Sequence, residues 1–458
     1  MRQLKLSCSP IATAAVMALV SVPALAAPAP APSVPSTAGD DESIISAAPS
    51  PFSLPGIGGY SLTANLRTVF DTNVLRLGDG LTPRPGQEKA DFRISPSVTG
   101  EIGLPIGRQN LFFSALVGRD YFVRNSGLDR NRYRLAGGIN LVAGSRCGAN
   151  IHASFNSRQL LVSDVAESVP NERQSLLYGA SANCQSAVGI SFGGNIQQNE
   201  SRNKSSTQSA FDLNTLSYGL NVGYGNGELG HFQLSGTISK VSYINRTVDL
   251  PDGSQVNDGV NLISGRFGYQ RELGVRLSLT AGLSYFKSDP NPATVLQIVG
   301  ITLPPDPPGF IVAPVTRTSR SGLGYDLVIG YHPSTRLAVT VAARRTASAS
   351  PNVGAQSTVS SSFLGDIDYK LGSGISLGTG ASYSKRQYQN SVIDAPDRFR
   401  RRLGDDISRV YGSIGYRRRL LSLSAEVAYQ NRKSDPVEFS FNSFSATLNM
   451  TLRFGRNS

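Results

Sequence analysis

Guanidinium groups at every second position of short alternating runs are the first chemistry this sequence offers. Arg132 and Arg134 are spaced two apart, and Arg67, Arg93, Arg158, Arg266, Arg276, Arg344, Arg386 and Arg409 sit singly in comparable runs, as do Arg336, Lys370, Arg417 and Arg453. Acids in the same phase are fewer: Asp71, Glu101, Asp326, Asp366, Asp368 and Glu426. If these positions share one face, that face is cationic by roughly two to one and would gather anions, binding carboxylates through planar arginine forks. The same residues could instead pair with one another, leaving little net selectivity.

Other reactive side chains are sparse. The three histidines, His152, His231 and His332, are scattered without a nucleophile and orienting acid in a recognisable motif, so no hydrolytic site is expected. Cys8 precedes the first apolar stretch, leaving Cys147 and Cys184 as an isolated pair with no neighbouring ligand of metal spacing. No metal or cofactor is implied, and a protease or lipase would need a clustered catalytic set that is missing here.

The elements that carry the arginines are read from periodicity. In the last segment Phe444, Ala446, Leu448, Met450, Leu452 and Phe454 alternate with Ser445, Thr447, Asn449, Thr451 and Arg453. A helix would scatter the two sets around its circumference, whereas a strand puts one in lipid and one in water. Similar runs give candidate strands at 60–71, 90–103, 110–123, 131–143, 149–159, 175–185, 188–199, 214–225, 230–243, 259–270, 275–287, 317–331, 336–347, 358–371, 375–388, 406–417, 420–432 and 439–454. Short and long gaps alternate between them, which predicts a transmembrane antiparallel outer-membrane β-barrel of about 18 strands with short periplasmic turns. Cys147 and Cys184 then fall at the periplasmic ends of neighbouring strands with one side-chain parity. In an oxidising compartment this predicts a disulfide between them.

Composition agrees with this class. Only 17% of the 458 residues are charged, 47 are Gly and 40% are hydrophobic. Beyond the N-terminus, no apolar run is long enough for a spanning helix. The chain has no Trp, so Tyr and Phe are expected to form the interface girdles: Tyr224, Tyr269, Tyr331, Tyr369, Tyr416 and Phe454 towards the periplasm, and Tyr121, Tyr133, Tyr243, Tyr285, Tyr383 and Tyr429 towards the outside.

Residues 1–26 read as a secretory signal peptide, with Arg2 and Lys5 before an apolar core and Ala24-Leu25-Ala26 as the cleavage box. Removing Arg2 and Lys5 takes the formal charge from +12 to +10. Residues 27–58 form an Ala/Pro/Ser-rich flexible periplasmic segment, and 59–458 the barrel. The terminal strand ending in Phe454 resembles the signal read by the barrel assembly machinery. Segment 288–316, with Pro304, Pro305, Pro307 and Pro308, is read either as a lid or as an outward loop.

Asp71-Thr72-Asn73-Val74-Leu75-Arg76, directly after the first strand, resembles the D-x-N-V-x-R signature of the β-barrel porin 2 family. The stretch Arg119 to Arg130 is similar to that family's third-strand hairpin. The resemblance implies an outer-membrane protein of the kind found with exopolysaccharide biosynthesis and export, with a polysaccharide as cargo and periplasmic export proteins as partners. Outer-membrane lipid and lipopolysaccharide would surround it. An acidic sugar would suit the cationic lumen, and the alternative function is a general or anion-selective diffusion porin. An adhesive barrel is a further possibility, and no nucleic acid is expected.

Overall fold

A computed structural model describes residues 59–159, 171–302, 309–349, 357–389, 404–435 and 437–456. The signal peptide, the Ala/Pro/Ser-rich segment and Pro304, Pro305, Pro307 and Pro308 lie outside the described residues. The strands are β1 (Gly59–Asp71), β2 (Asp91–Ile106), β3 (Gln109–Phe122), β4 (Arg130–Ala143), β5 (Cys147–Gln159), β6 (Glu172–Gln185), β7 (Ile190–Asn203), β8 (Leu213–Asn226), β9 (Gly230–Asp249) and β10 (Gln255–Leu273). They continue as β11 (Leu277–Asn291), β12 (Thr294–Thr302), β13 (Gly309–Thr316), β14 (Arg320–Tyr331), β15 (Leu337–Ala349), β16 (Ser357–Gly372), β17 (Ile375–Gln389), β18 (Gly404–Arg418), β19 (Leu421–Asp435) and β20 (Phe441–Arg456).

Eighteen of these strands form one antiparallel sheet that closes on itself where β1 pairs with β20, Leu66 opposite Met450. Closure leaves no unpaired sheet edge, the condition for backbone to cross hydrocarbon as strands. All eighteen segments read from the alternation coincide with barrel strands. The exceptions to barrel membership are β12 and β13, which pair only with each other as a hairpin between β11 and β14. Residues 294–302 and 309–316 of segment 288–316 therefore form a hairpin of their own.

Parity sorts the wall. Leu220 and Leu283 are 74% and 70% exposed, and Val117, Phe267, Phe363, Val410 and Leu448 are exposed on the same outer face. So broad an apolar surface would be insoluble in water and is matched to lipid. Ser, Thr, Asn, Gly and most of the charged residues of the mid-wall occupy the inner face. The barrel spans the bacterial outer membrane. By the loop rule for such barrels, the end carrying short turns such as Gly107-Arg108 is periplasmic.

One girdle assignment fails. Tyr243 points inward and is 1% exposed, because the outward set of β9 is Phe232, Leu234 and Ile238, in even phase. Its ring packs with Leu213, Val241 and Val260 inside the extracellular mouth. The pairing of β9 with β10 breaks register between Asn257 and Gly259, and such an irregularity re-aims nearby side chains.

Candidate functional site

The lumen and its extracellular rim bring together most of the residues singled out above. Arg266 of β10 forms a fork with Asp326 of β14, Nε to Oδ1 at 2.7 Å and Nη2 to Oδ2 at 2.6 Å. The two strands are separated by β11, and the guanidinium lies flat over Gly282 to reach its partner. A Cβ at 282 would sit 2.4 Å from Asp326 Oδ1 and 2.7 Å from Arg266 Nη2. The β16 to β18 wall repeats this device: Tyr411 donates to Asp366 across β17, where a Cβ at Gly380 would lie 2.5 Å from the phenol oxygen. Inward glycines thus let long polar side chains lie along the wall instead of standing in the passage. Gly282→Ala is expected to break the Arg266–Asp326 fork and cost about 1–3 kcal/mol. Single-channel recording should show a changed conductance, and an unchanged trace would argue against the fork's role in shaping the passage.

The remaining arginines divide by environment. Arg409 pairs with Glu426 at 2.5 Å and lies 4.9 Å from the Tyr411 ring. Arg132 approaches Asp120 at 3.5 Å. Arg93 rests on the Phe122 ring at 5.9 Å. Arg344 is exposed and opposite Asp326 in register, so it adds a second cation beside the fork. Arg67 sits inward between Ser95 and Asn449, Arg134 opposite Leu116, Arg158 opposite Arg173, and Arg386 opposite Ser360 and Asp405. Arg276 differs from its assignment as wall: it lies in the β10–β11 turn at the periplasmic rim, where its carbonyl accepts from the His332 amide. The strand stops at Leu273, and the turn residues Gly274 to Arg276 carry it out of the wall.

Facing this charged sector is one whose mid-wall rows are uncharged. Strands β6 to β9 present inward rows such as Ser181, Asn195, Gly219 and Thr237, then Asn183, Gly193, Asn221 and Ser235, each in direct register. Among the described residues, the amides of Asn183, Asn195, Gln197, Asn221 and Gln233 make no side-chain hydrogen bond to protein, so they present donors and acceptors to the passage. The opposite wall, β17 to β20, carries Arg386, Arg409, Glu426 and Arg453.

The D-x-N-V-x-R residues build a loop anchor at the extracellular rim. Arg76 adopts φ 52°, unusual for a residue with a Cβ, and turns its guanidinium back onto Asp71 at 2.7 Å. Asp71 also accepts from the Asn73 amide at 2.8 Å and from Ser443 Oγ at 2.6 Å. Asn73 closes a reciprocal pair with Leu77, donating to its carbonyl and accepting from its amide. Val74, Leu75 and Leu77 are thereby folded against Phe122 and Leu128 inside the mouth. Loop β9–β10 is tied more simply: the Ser254 hydroxyl and amide both donate to Asp252 and hold its carboxyl below the usual range.

Sequence reasoning missed two buried ionic knots of this rim. Asp405 accepts from Arg432 at 2.7 Å, from Tyr388 at 2.7 Å and from Ser434 at 2.6 Å. Asp258 accepts from Arg317 at 2.6 Å and forms an ion pair with Arg246 at 2.6 Å. The parity of Arg432 is inward on β19, but Arg246 has the even phase of the outward set of β9 and Arg317 lies between strands, so no local pattern gives the pairing. At the other end Cys147 and Cys184 are directly opposite across β5 and β6 and joined by a disulfide.

The chain is thus a closed barrel with a hydrophilic lumen and a motif loop seated on β20. Residues 318–454 match the family model described as Putative beta-barrel porin 2. The match covers β14 to β20, whereas Asp71, Asn73 and Arg76 lie outside it and contact Ser443 and Asn442 within it. No curated protein matches the sequence. Among solved structures, OpdL of Pseudomonas aeruginosa is similar at 11% identity, covering 87% of this chain and 99% of that chain with a TM-score of 0.43. OccAB3 of Acinetobacter baumannii is similar at 11% identity, 87% and 99% coverage and a TM-score of 0.45. A mutant of the ferric enterobactin receptor PfeA from Pseudomonas aeruginosa gives 9% identity, 86% and 80% coverage and a TM-score of 0.44. The porin 2 match and the lipid-matched exterior agree on an outer-membrane channel.

Proposed function

We propose that this porin-like channel exports a polysaccharide carrying acidic sugar units. The observation that carries the reading is the two-sided lumen, an amide and hydroxyl wall on β6 to β9 facing an arginine-bearing wall on β17 to β20. Sugar hydroxyls are both donors and acceptors, and unpartnered Asn and Gln amides match them in both roles. Carboxylates on the polymer would be drawn to the arginines, of which Arg344 stands exposed beside a fork already closed by Asp326. The pairs made by Arg266, Arg409 and Arg132 temper the field, favouring passage over tight retention.

Deletion of the gene should remove the extracellular polysaccharide while leaving its synthesis intact. An undiminished extracellular pool would refute export. The pairing of so many arginines also fits the second reading, a diffusion porin for small anions. Planar-bilayer recording distinguishes the two: an exporter's current should be blocked by acidic oligosaccharide, whereas a diffusion porin conducts through it.

A further inference from the structure

The outer wall carries a cationic row that the permeation path does not use. Tyr325, Arg345, Ser361, Lys385, Asp406 and Lys433 are consecutive register partners across β14 to β19. All six have the lipid-facing parity. One step closer to the membrane centre the same strands present Phe363 and Tyr383, and two steps closer Val341, Val410 and Tyr429, each exposed and apolar or aromatic. The row therefore marks the upper boundary of the hydrocarbon face, on the side of the long loops.

Its charges are not satisfied by the protein. The one carboxylate in the row, Asp406, accepts from the Tyr383 hydroxyl at 2.9 Å. Among the described residues Arg345, Lys385 and Lys433 have no ion-pair partner, and Arg345 Nε is buried without an acceptor. Successive cations stand two strands apart, about 10 Å at the usual strand spacing. A cation held against hydrocarbon requires a counter-charge at the headgroup level, because neither bulk water nor lipid chains can fully replace one.

We infer that Arg345, Lys385 and Lys433 form a binding row for the phosphates of an anionic glycolipid in the outer leaflet. Arg345 gives a planar multi-donor group and the two lysines give point charges, a set suited to phosphate oxygens presented in a plane beside the wall. Beneath them, Phe363, Val341 and Val410 offer an apolar surface for the acyl chains of the same molecule. The barrel then holds specific lipid on one sector, β15 to β19, rather than an indifferent annulus.

The test is lipid binding by the full chain in detergent, followed by native mass spectrometry and thermal unfolding. Three probes are used: bisphosphorylated lipid A, its dephosphorylated form and inorganic phosphate. The wild type should bind and be stabilised by the bisphosphorylated lipid, while the dephosphorylated form binds more weakly and inorganic phosphate fails to compete. The Arg345→Gln/Lys385→Gln/Lys433→Gln variant should lose roughly fivefold in apparent affinity for each cation removed. Equal binding of both lipids by the wild type overturns the inference, as does a folded variant with undiminished binding. Full competition by inorganic phosphate would assign the row to a free anion instead of a lipid. Heat-modifiable gel migration reports whether the variant is folded, and the wild-type comparison of the two lipids decides the question without it.

Discussion

Arg432→Ala is expected to destabilise the folded barrel by about 3–5 kcal/mol, the usual cost of breaking a buried ion pair from one side. The side chains of Arg432 and Asp405 are 1% and 0% exposed, so solvent cannot take over the role of the missing guanidinium. Tyr388 and Ser434 would still donate to Asp405 but carry no charge. The guanidinium also lies 5.9 Å from the Phe441 ring, which Arg76 approaches at 5.6 Å, so loss of Arg432 should loosen the motif loop as well. Urea unfolding in lipid vesicles measures the loss. The double variant Asp405→Asn/Arg432→Met should recover more than half of it, since it removes the stranded charge together with its partner. If single and double variants unfold alike, the effect is one of packing and the ionic account is wrong.

The strand order of the barrel was legible in the sequence because one physical requirement repeats at every strand. Lipid outside and water inside impose a period of two, and Phe444 to Phe454 displays it without interruption. The same parity placed Arg266, Asp326, Arg409 and Glu426 inward. It could not reveal that they pair, since Arg266 reaches Asp326 only by lying over Gly282, a contact between strands that no local pattern records. Tyr243 was misplaced because the alternation was carried to a strand end without following the phase set by Phe232 and Leu234. Asp71, Asn73 and Arg76 were recognised as a motif, but the role of Asp71 needs Ser443 from the far end of the chain. Barrel closure brings those residues together, and closure is a property of the whole sheet.

Asp258→Ala should have an effect of comparable size, about 3–5 kcal/mol, with a more local consequence. This carboxylate neutralises two guanidiniums at once, Arg246 through Oδ2 and Arg317 through Oδ1, and the side chains involved are 12%, 8% and 7% exposed. Arg317 also donates to the Pro292 carbonyl, so it clamps the start and end of the β12–β13 hairpin to the bulged region of β10. Arg246 is stacked 3.6 Å from the Tyr243 ring and cannot swing into solvent without exposing that ring. Without Asp258 two like charges remain close together in a buried site, and the cheapest relief is release of the hairpin. Limited proteolysis should then cut between residues 292 and 319 in the variant and spare the wild type, while open-channel current becomes noisier. Arg317→Ala leaves the Arg246–Asp258 pair in place, so it should free the hairpin with a smaller loss of stability. Because the knot is buried, raising the salt concentration should change this ranking little. An equal loss for the two variants would mean that the hairpin is held by packing around Val295, which is 1% exposed, rather than by charge.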